Sequence, residues 1–349
     1  MRAFQYILFP LLCLILLRTP AGAQPGAFNP SLLECGRHDR VEIICGTTAP
    51  EDFERTPDGR FLIVSKMGRG EDRGLDLFEL ASQAFTAIPL SAGKKPGWGE
   101  DTCTESIRGN IQPHGLSLSK RASGEWQLYV VNHNARESME MYELLPDGTK
   151  WKLAWRGCVI ASEPYNDVAA LADGSFVATR PQAIQKEARN LFGGKPSGNV
   201  AIWTKGSGEQ VLPGSGYGYP NGILVSKDGG SLYISGWTTR DLHRYDLTTK
   251  REVAKTELTF MPDNLTWTPD GEILAAGIKG VSGNCPPESN DPCMQGFVLA
   301  KVDPKTMKSR ILYDNNGKAL INGVSVAIEA GDAFYVGSFQ GSRLVKLPR

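Results

Sequence analysis

The chain has 349 residues, including 39 Gly and 22 Pro, and its 38 Lys and Arg balance its 38 Asp and Glu, so that the net formal charge is zero. Because it also lacks a basic run, this balance argues against nucleic acid or an anionic membrane surface as the main partner. The many turn-forming residues favour a fold of short strands, which can form one all-β repeat domain at this length.

The first 23 residues have the pattern of a cleaved signal peptide. Arg2 supplies a charged n-region, residues 7–17 an apolar run and residues 21–23 an A-x-A cleavage site. The apolar run is shorter than the ~20 residues that a spanning helix needs, and no later stretch is long enough either. We therefore expect no transmembrane segment, and residues 24–349 to form one domain that is secreted, or periplasmic in a bacterium.

The cysteines agree with an oxidising compartment. Seven are present, and an even number remains once Cys13 leaves with the signal peptide. Such a set predicts three disulfides, although the sequence allows several connectivities. The pairing that we favour is Cys35–Cys45, Cys103–Cys158 and Cys285–Cys293. Because no C-x2-C pair occurs, we do not expect thiol ligation of a metal.

Six polar pairs recur 42 to 63 residues apart, each followed by a turn and a short apolar strand. The pairs are Glu51-Asp52, His114-Gly115, Asn166-Asp167, Asn221-Gly222, Asp263-Asn264 and Asn322-Gly323. The strands are FLIVS, QLYVVN, SFVAT, SLYIS, EILAAG and AFYVG. This spacing is close to the ~40–50 residues of one propeller blade. It predicts an all-β fold, a six-bladed β-propeller of four-stranded antiparallel blades with a central tunnel. One helix is predicted around residues 182–191.

Polar loops from separate blades would place a ring of oxygen atoms around the tunnel. Calcium prefers about six to eight oxygen ligands from carboxylates, amides and backbone. The candidate ligands from the loops are Glu51, Asn166, Asn221, Asp263 and Asn264. Asp52 and Asp167 could serve a second ion deeper in the tunnel. Because any one pair is also ordinary turn chemistry, the prediction depends on their recurrence at the same blade position.

His114 and His133 are the candidate proton acceptors, since a neutral imidazole is the usual base near physiological pH. The two flank one strand region, and a propeller hairpin could bring both to the same end of the tunnel. His38 and His243 we interpret as structural. The chain has no G-x-S-x-G, H-E-x-x-H or P-loop motif, which disfavours serine hydrolases, zinc proteases and nucleotide-binding proteins.

The loop segments resemble those of the paraoxonase/arylesterase family, within the broader gluconolactonase and strictosidine-synthase-like six-bladed propellers. The similar segments, in chain order, are PEDFERTPDGR, QPHGLSLS with VVNHN, PYNDVAALADGSFVAT, YPNGILVSKDGGSLYIS, MPDNLTWTPDG and SVAIEAGDAFYVGSF. They run from Cys45 to the C-terminus. Each segment is short, and the specificity lies in their order and spacing.

The resemblance implies two calcium ions and hydrolysis of a small lactone or aryl ester. By motif, the catalytic ion would take Glu51, Asn166, Asn221, Asp263 and Asn264. The structural ion would take Asp52, Asp167 and the backbone carbonyl of Leu116. His114 would be the general base and His133 its partner. Animal members of the family tie the N-terminal region to the last blade by a disulfide, yet no cysteine follows Cys293 here. Ring closure must then use strand pairing or different bridges.

Other functions stay open on the sequence alone. A sugar-lactone hydrolase of the gluconolactonase type would favour a polar pocket, and a non-catalytic binding propeller would keep calcium for stability. The plausible pocket liners, each equally able to pack between blades, are Tyr165, Tyr219, Trp237, Met261 and Phe339. Their apolar character favours acyl lactones. We expect a monomer whose partner is a small-molecule ester or lactone.

Overall fold

The computed structural model describes residues 32–68, 70–107, 111–187, 191–282, 293–294, 296–315 and 320–349. Within these ranges the protein is all-β, and its one helical segment is a 3₁₀ turn at Gly70–Asp72. No helix in the described part of the chain is long and apolar enough to cross a membrane. The predicted signal peptide and Cys285 of the predicted Cys285–Cys293 bridge lie outside the described residues.

Six sheets form the blades, which confirms the predicted propeller. The N-terminal strands are β1 (Gly36–His38) and β2 (Val41–Cys45). Blade 1 contains β3 (Pro50–Arg55), β4 (Phe61–Lys66), β5 (Gly74–Glu79) and β6 (Phe85–Ala87). Blade 2 contains β7 (Leu90–Ala92), β8 (Pro113–Lys120), β9 (Trp126–Asn132), β10 (Ser138–Asp147) and β11 (Lys150–Ile160). Blade 3 contains β12 (Val168–Ala170), β13 (Phe176–Arg180), β14 (Asn199–Thr204) and β15 (Gly208–Val211).

The second half of the chain supplies the other three blades. Blade 4 contains β16 (Pro220–Val225), β17 (Ser231–Gly236), β18 (Asp241–Asp246) and β19 (Arg251–Glu257). Blade 5 contains β20 (Met261–Trp267) and β21 (Ile273–Ile278), then a small hairpin of β22 (Val281–Ser282) and β23 (Cys293–Met294), and finally β24 (Phe297–Val302) and β25 (Ser309–Asp314). Blade 6 contains β26 (Val324–Ala330), β27 (Ala333–Ser338) and β28 (Arg343–Pro348), completed by β2 and β1.

The apolar strands of the repeat lie in the middle of the blades because both of their faces are covered by neighbouring blades. In β4, Phe61 and Ile63 join a buried cluster with blade 2, whereas Leu62 and Val64 join one with blade 6. Successive side chains of a strand point to opposite faces of a sheet. A strand packed on both faces therefore has a continuous apolar sequence, as FLIVS does.

The innermost strands lie next to the channel and contact one another in a closed ring; they are β3, β8, β12, β16, β20 and β26. The ring is closed by strand pairing, since β2 pairs antiparallel with β28, with Glu42 opposite Lys346. The predicted disulfide Cys35–Cys45 is present and fastens the start of β1 to the end of β2. The predicted Cys103–Cys158 bridge is present as well.

Two details differ from the prediction. Blades 2 and 6 each have a fifth strand, because β7 pairs parallel with β11 and β1 pairs with β2. The predicted helix at 182–191 is wrong for its described part, residues 182–187, which is turn and irregular structure. The backbone N–H groups of Ile184 and Gln185 donate to the carbonyl of Ser197, so they are used in loop packing and not in helical hydrogen bonds.

Ring closure gives a testable prediction. Ile43 of β2 is 2% exposed in the cluster between blades 5 and 6, so Ile43→Ala should destabilise the protein by roughly 2–4 kcal/mol in chemical denaturation. The control is Val253→Ala in the outermost strand β19, where 45% exposure predicts little change. Equal midpoints for the two variants would show that β2 contributes nothing to closing the ring.

Candidate active site

Proline precedes four of the polar pairs and marks a break in the strand pairing. In the innermost strands of blades 1, 2, 4 and 5, the register shifts immediately after Pro50, Pro113, Pro220 and Pro262. Proline has no N–H to donate to a neighbouring strand. A bulge at this point releases the following residue from the regular alternation and re-aims its side chain. The recurring Pro-polar step therefore explains why these side chains contact other blades.

Glycine in two of the pairs allows neighbouring blades to approach closely. A Cβ atom on Gly115 would lie 2.3 Å from Asp167 Oδ1, and one on Gly222 would lie 2.4 Å from the carbonyl oxygen of Asp263. Both distances are far below van der Waals contact. Gly115 and Gly222 thus allow the innermost strands to lie close together. They do not form the turns in which such dipeptides usually occur.

Hydrogen bonds from other blades hold Glu51 in the channel. The side-chain amide of Asn264 in blade 5 donates to Glu51 Oε1 at 2.8 Å and to the Glu51 carbonyl at 3.1 Å. Ser325 in blade 6 donates to that carbonyl at 2.7 Å. The side-chain amide of Asn221 in blade 4 lies beside Asp263 in blade 5. Four blades therefore place polar side chains around one region of the channel.

Several buried oxygens in this region have no hydrogen-bond partner among the described residues. They are Glu51 Oε2, Asn166 Oδ1, Asn221 Oδ1 and Asn264 Oδ1. A buried acceptor without a partner costs about 1–3 kcal/mol, so four together need a compensating ligand. Carboxylate and amide oxygens without donors suit a hard cation. Glu51, Asn166, Asn221, Asp263 and Asn264 could therefore hold such an ion.

Asparagine supplies three of the four free oxygens, and the site is correspondingly poor in conventional ligands. In the described ranges, no three or more His, Cys, Asp or Glu residues form a metal-binding group. Carboxylates alone would therefore not identify this site. Its fit to a cation depends on the amide oxygens that accept no hydrogen bond.

The aspartates of the channel have pKa values raised well above the usual range. Burial is the main cause for Asp52, Asp167 and Asp263, and the negative charge of Glu51 adds to it in each case. Burial also raises the pKa of Glu54 to about 8. The carboxylates repel one another in a medium that screens them weakly, and a bound divalent cation would relieve this repulsion.

Asp52 and Asp167 differ from the other polar residues because each of their oxygens already accepts a backbone hydrogen bond. Asp52 accepts from Phe53 and from Leu116 at 2.6 Å, and Asp167 accepts from Val168 and from Ile223 at 2.7 Å. An ionised carboxylate oxygen has two acceptor positions. Each oxygen thus keeps one for a second ligand.

The two predicted histidines are brought together beside this cluster. His114 Nδ1 lies 2.9 Å from His133 Nε2, and His133 Nδ1 lies 2.7 Å from Glu137 Oε2. His114 Nε2 is 3.5 Å from Glu51 Oε1. The side chains of both histidines are partly exposed, at 16% and 22%. An imidazole that water can reach therefore adjoins the buried oxygens.

Sequence analysis missed Glu137 and Asn132. Asn132 is fully buried, and its side chain accepts from the backbone N–H of Gln112 and donates to the carbonyls of Asn134 and Arg136. It thereby fixes both the hairpin that carries His133 and the segment before His114. The HNARE sequence offered a signal for Glu137, since a carboxylate follows the histidine closely, but its approach depends on the shape of the loop.

Not every predicted residue reaches the site. Asn322 of the sixth pair is exposed, and Ser325 provides the contact from blade 6 instead. Tyr165 is a core residue, because its hydroxyl donates to Glu209 and its ring packs 5.9 Å from that of Phe176.

The other predicted liners form an apolar wall. Tyr219 packs 5.4 Å from Trp237 between ring centroids, and Trp237 and Phe339 pack against buried Met261. Burial, followed by the charge of Asp263, raises the pKa of Tyr219 to about 12. Tyr219 and Met261 each lie two residues before a candidate ligand, Asn221 and Asp263. The wall therefore adjoins the oxygen cluster, the group of buried oxygens of Glu51, Asn166, Asn221 and Asn264.

A cavity of about 550 Å³ occupies the channel on the other side of Asp52 and Asp167. Its lining includes Glu54 and Trp267, but neither histidine. The histidines and the apolar wall therefore lie toward the opposite end of the channel.

Comparison with known proteins agrees with this architecture. The family model described as Arylesterase matches residues 104–344. Serum paraoxonase/lactonase 3 of Homo sapiens is 25% identical over 240 residues, covering 62% of this chain and 63% of the relative. The Rattus norvegicus protein of the same name is 26% identical over 230 residues, covering 60% and 62%. The chain thus aligns with somewhat less than two thirds of the length of these relatives.

Solved structures support the fold. A luciferin-regenerating enzyme superposes with a TM-score of 0.52 at 13% identity, over 88% of this chain and 95% of that one. A gluconolactonase from Xanthomonas campestris gives a TM-score of 0.52 at 14% identity, over 88% and 89%. At such identities the likeness concerns the fold alone. Because the family model covers more than half of the chain, this protein belongs to the paraoxonase/arylesterase family.

Proposed function

We propose that this protein is a calcium-dependent hydrolase of lactones and/or aryl esters. The observation that carries the proposal is the position of a histidine base beside buried oxygens without donors, His114 Nε2 lying 3.5 Å from Glu51 Oε1. Family membership supports the same chemistry, since the curated relatives are described as paraoxonase/lactonases.

Two ions are part of the proposal. The catalytic ion would be held by Glu51, Asn166, Asn221, Asp263 and Asn264. The structural ion would be held by Asp52, Asp167 and the backbone carbonyl of Leu116. The free oxygens support the first set, and the unused acceptor positions of the two aspartates support the second. When bound, calcium supplies polarisation of the substrate carbonyl and stabilisation of the negative charge that develops on its oxygen.

His114 is the proposed general base. It takes a proton from a water molecule while the water oxygen bonds to the carbonyl carbon. The bond from that carbon to the alcohol oxygen then breaks, and the departing alkoxide takes the proton from His114. One water is consumed, and an acid and an alcohol are released; for a lactone both groups belong to one molecule. His133 is the proposed partner that orients His114.

The apolar wall favours acyl lactones and aryl esters over sugar lactones. Tyr219, Trp237, Met261 and Phe339 offer aromatic and thioether surface next to the oxygen cluster, which suits an apolar acyl or aryl group and not several hydroxyl groups.

We also propose that residues 24–349 act as one secreted, monomeric domain after residues 1–23 are removed. The two disulfides support an oxidising compartment, and the balanced charge supports a small-molecule partner and not a nucleic acid.

The dependence on calcium is tested with purified protein. We expect hydrolysis of phenyl acetate or δ-valerolactone that is lost in EDTA and restored by calcium but not by magnesium, because magnesium demands a tighter octahedral shell. The melting temperature should fall in the chelator. Full turnover in EDTA would refute the role of the metal. Preference for gluconolactone would favour the sugar-lactone hydrolase, and calcium-dependent melting without turnover would favour a binding propeller.

Two substitutions separate the metal ligands from the base. Asn221→Ala should reduce calcium affinity in titration calorimetry and lower turnover by roughly 10²–10³, the usual effect of losing stabilisation of an oxyanion. His114→Gln should lower turnover by roughly 10²–10⁴ and leave calcium affinity unchanged. Unchanged turnover in His114→Gln would show that another group is the base.

The apolar wall predicts a change in KM. Trp237→Ala should raise KM for phenyl acetate roughly 2- to 10-fold, since an aromatic contact contributes about 0.5–1.5 kcal/mol, with little change in calcium affinity. The control is Trp151→Ala, because Trp151 contacts Asp58 in a turn at the other end of blade 1. The same rise in both variants would mean that Trp237 acts through stability alone.

A further inference from the structure

A line of hydrogen bonds runs from the surface to the oxygen cluster through the hairpin between β9 and β10. Glu137 Oε2 lies 2.7 Å from His133 Nδ1, and His133 Nε2 lies 2.9 Å from His114 Nδ1. The free nitrogen of His114, Nε2, is 3.5 Å from Glu51 Oε1. Glu137 is thus the outermost of four ionisable groups, and the proposed function assigns no role to it.

The chemistry of these groups determines where the protons lie. An ionised carboxylate can only accept, so His133 Nδ1 must carry a hydrogen that it donates to Glu137. In a neutral His133 ring the other nitrogen, Nε2, is then an acceptor. It accepts a hydrogen bond from the Nδ1–H group of His114. With its hydrogen on Nδ1, neutral His114 has a free lone pair on Nε2, the atom nearest the oxygen cluster. The second nitrogen of a histidine is commonly set by its hydrogen bond in this way.

The loop keeps Glu137 available for His133. The neighbouring Arg136 is occupied elsewhere, since its guanidinium donates to Glu140 Oε1 at 2.8 Å and 3.0 Å. The backbone carbonyl of Glu137 accepts from Ala161 at 3.1 Å, and Ala135 turns the chain with a φ of 63°. The Glu137 carboxylate therefore faces the imidazole and not the adjacent cation.

We propose that Glu137 is a positioning residue that fixes the tautomer of His133 and, through it, leaves the Nε2 lone pair of His114 free to act as a base. This inference rests on the proposed function for its kinetic consequence, whereas the tautomer is a property of the protein without substrate. The side chain of Glu137 contacts His133 and would act on His114 only through that ring.

The tautomer is measured first, by ¹⁵N NMR of protein labelled in the histidine rings. Only four histidines are present, so each ring can be assigned by single His→Gln variants. In the wild type we expect His133 with its hydrogen on Nδ1 and a bare Nε2. In Glu137→Ala the hydrogen should redistribute between the two nitrogens, and in Glu137→Asp, which keeps the charge, it should stay largely on Nδ1.

Kinetics give the second measurement. Glu137→Ala should lower kcat for lactone and ester with KM and melting temperature unchanged; we expect roughly a 10- to 100-fold loss, by analogy with the loss of a carboxylate that orients a metal-bound histidine. Glu137→Asp should recover part of kcat. A merely structural role would lower stability and would not be rescued by aspartate.

A matched control exists in blade 4. Glu252 Oε2 lies 2.9 Å from His243 Nδ1, and its side chain is 36% exposed, compared with 40% for Glu137. Glu252→Ala should change the ring signals of His243 and leave turnover as in the wild type.

The outcomes are distinguishable. An unchanged His133 tautomer in Glu137→Ala overturns the inference, and so does unchanged kcat in an active enzyme. If the wild type hydrolyses no ester or lactone, the proposed function fails. The NMR result alone then tests whether Glu137 fixes the tautomer of His133. Redistribution of the hydrogen in Glu137→Ala supports this role, and an unchanged spectrum overturns it.

Discussion

Mutual repulsion among buried acids is the constraint on which the channel depends. Glu51 raises the pKa of Asp52, Asp167 and Asp263, in addition to the effect of burial. A buried acid can stay ionised only if positive charge or hydrogen-bond donors compensate its negative charge. Backbone N–H groups compensate Asp52 and Asp167 in part, whereas the oxygens around Glu51 lack donors. A bound cation would supply the missing positive charge, and its binding would then stabilise the ring.

Local sequence features that recur from blade to blade bring these polar groups to the channel. A proline ends the regular pairing, the next residue turns to the axis, and glycine lets the neighbouring strand come within reach. Glu51 shows the result, because blades 5 and 6 both donate to it. The geometry of the proposed site therefore depends on contacts between blades.

Much of this arrangement could be predicted because it is periodic. Repeated polar pairs and apolar strands predicted the propeller, and the residues that the pairs nominated, such as Glu51, Asn221 and Asp263, lie in separate blades around the channel. The failures share one physical cause, which is dependence on loop conformation. Asn322 follows the repeat but is exposed, and Glu137 approaches His133 only because the hairpin turns at Ala135. No periodic pattern encodes either event. The edge strand β7 was missed for a different reason, since it pairs with the distant β11, whereas β1 forms a local hairpin with β2 that the repeat does not include.

The pairing of β2 with β28 has a consequence for biosynthesis. It joins positions 42 and 346, so β2 leaves the ribosome long before its partner exists. An unpaired strand edge invites association with other chains, and non-local pairings of this kind form slowly. The short strand β1, fastened by Cys35–Cys45, already covers one edge of β2 during that wait. Early oxidation of this bridge would thus leave only one edge of β2 unpaired, the edge to which β28 later binds.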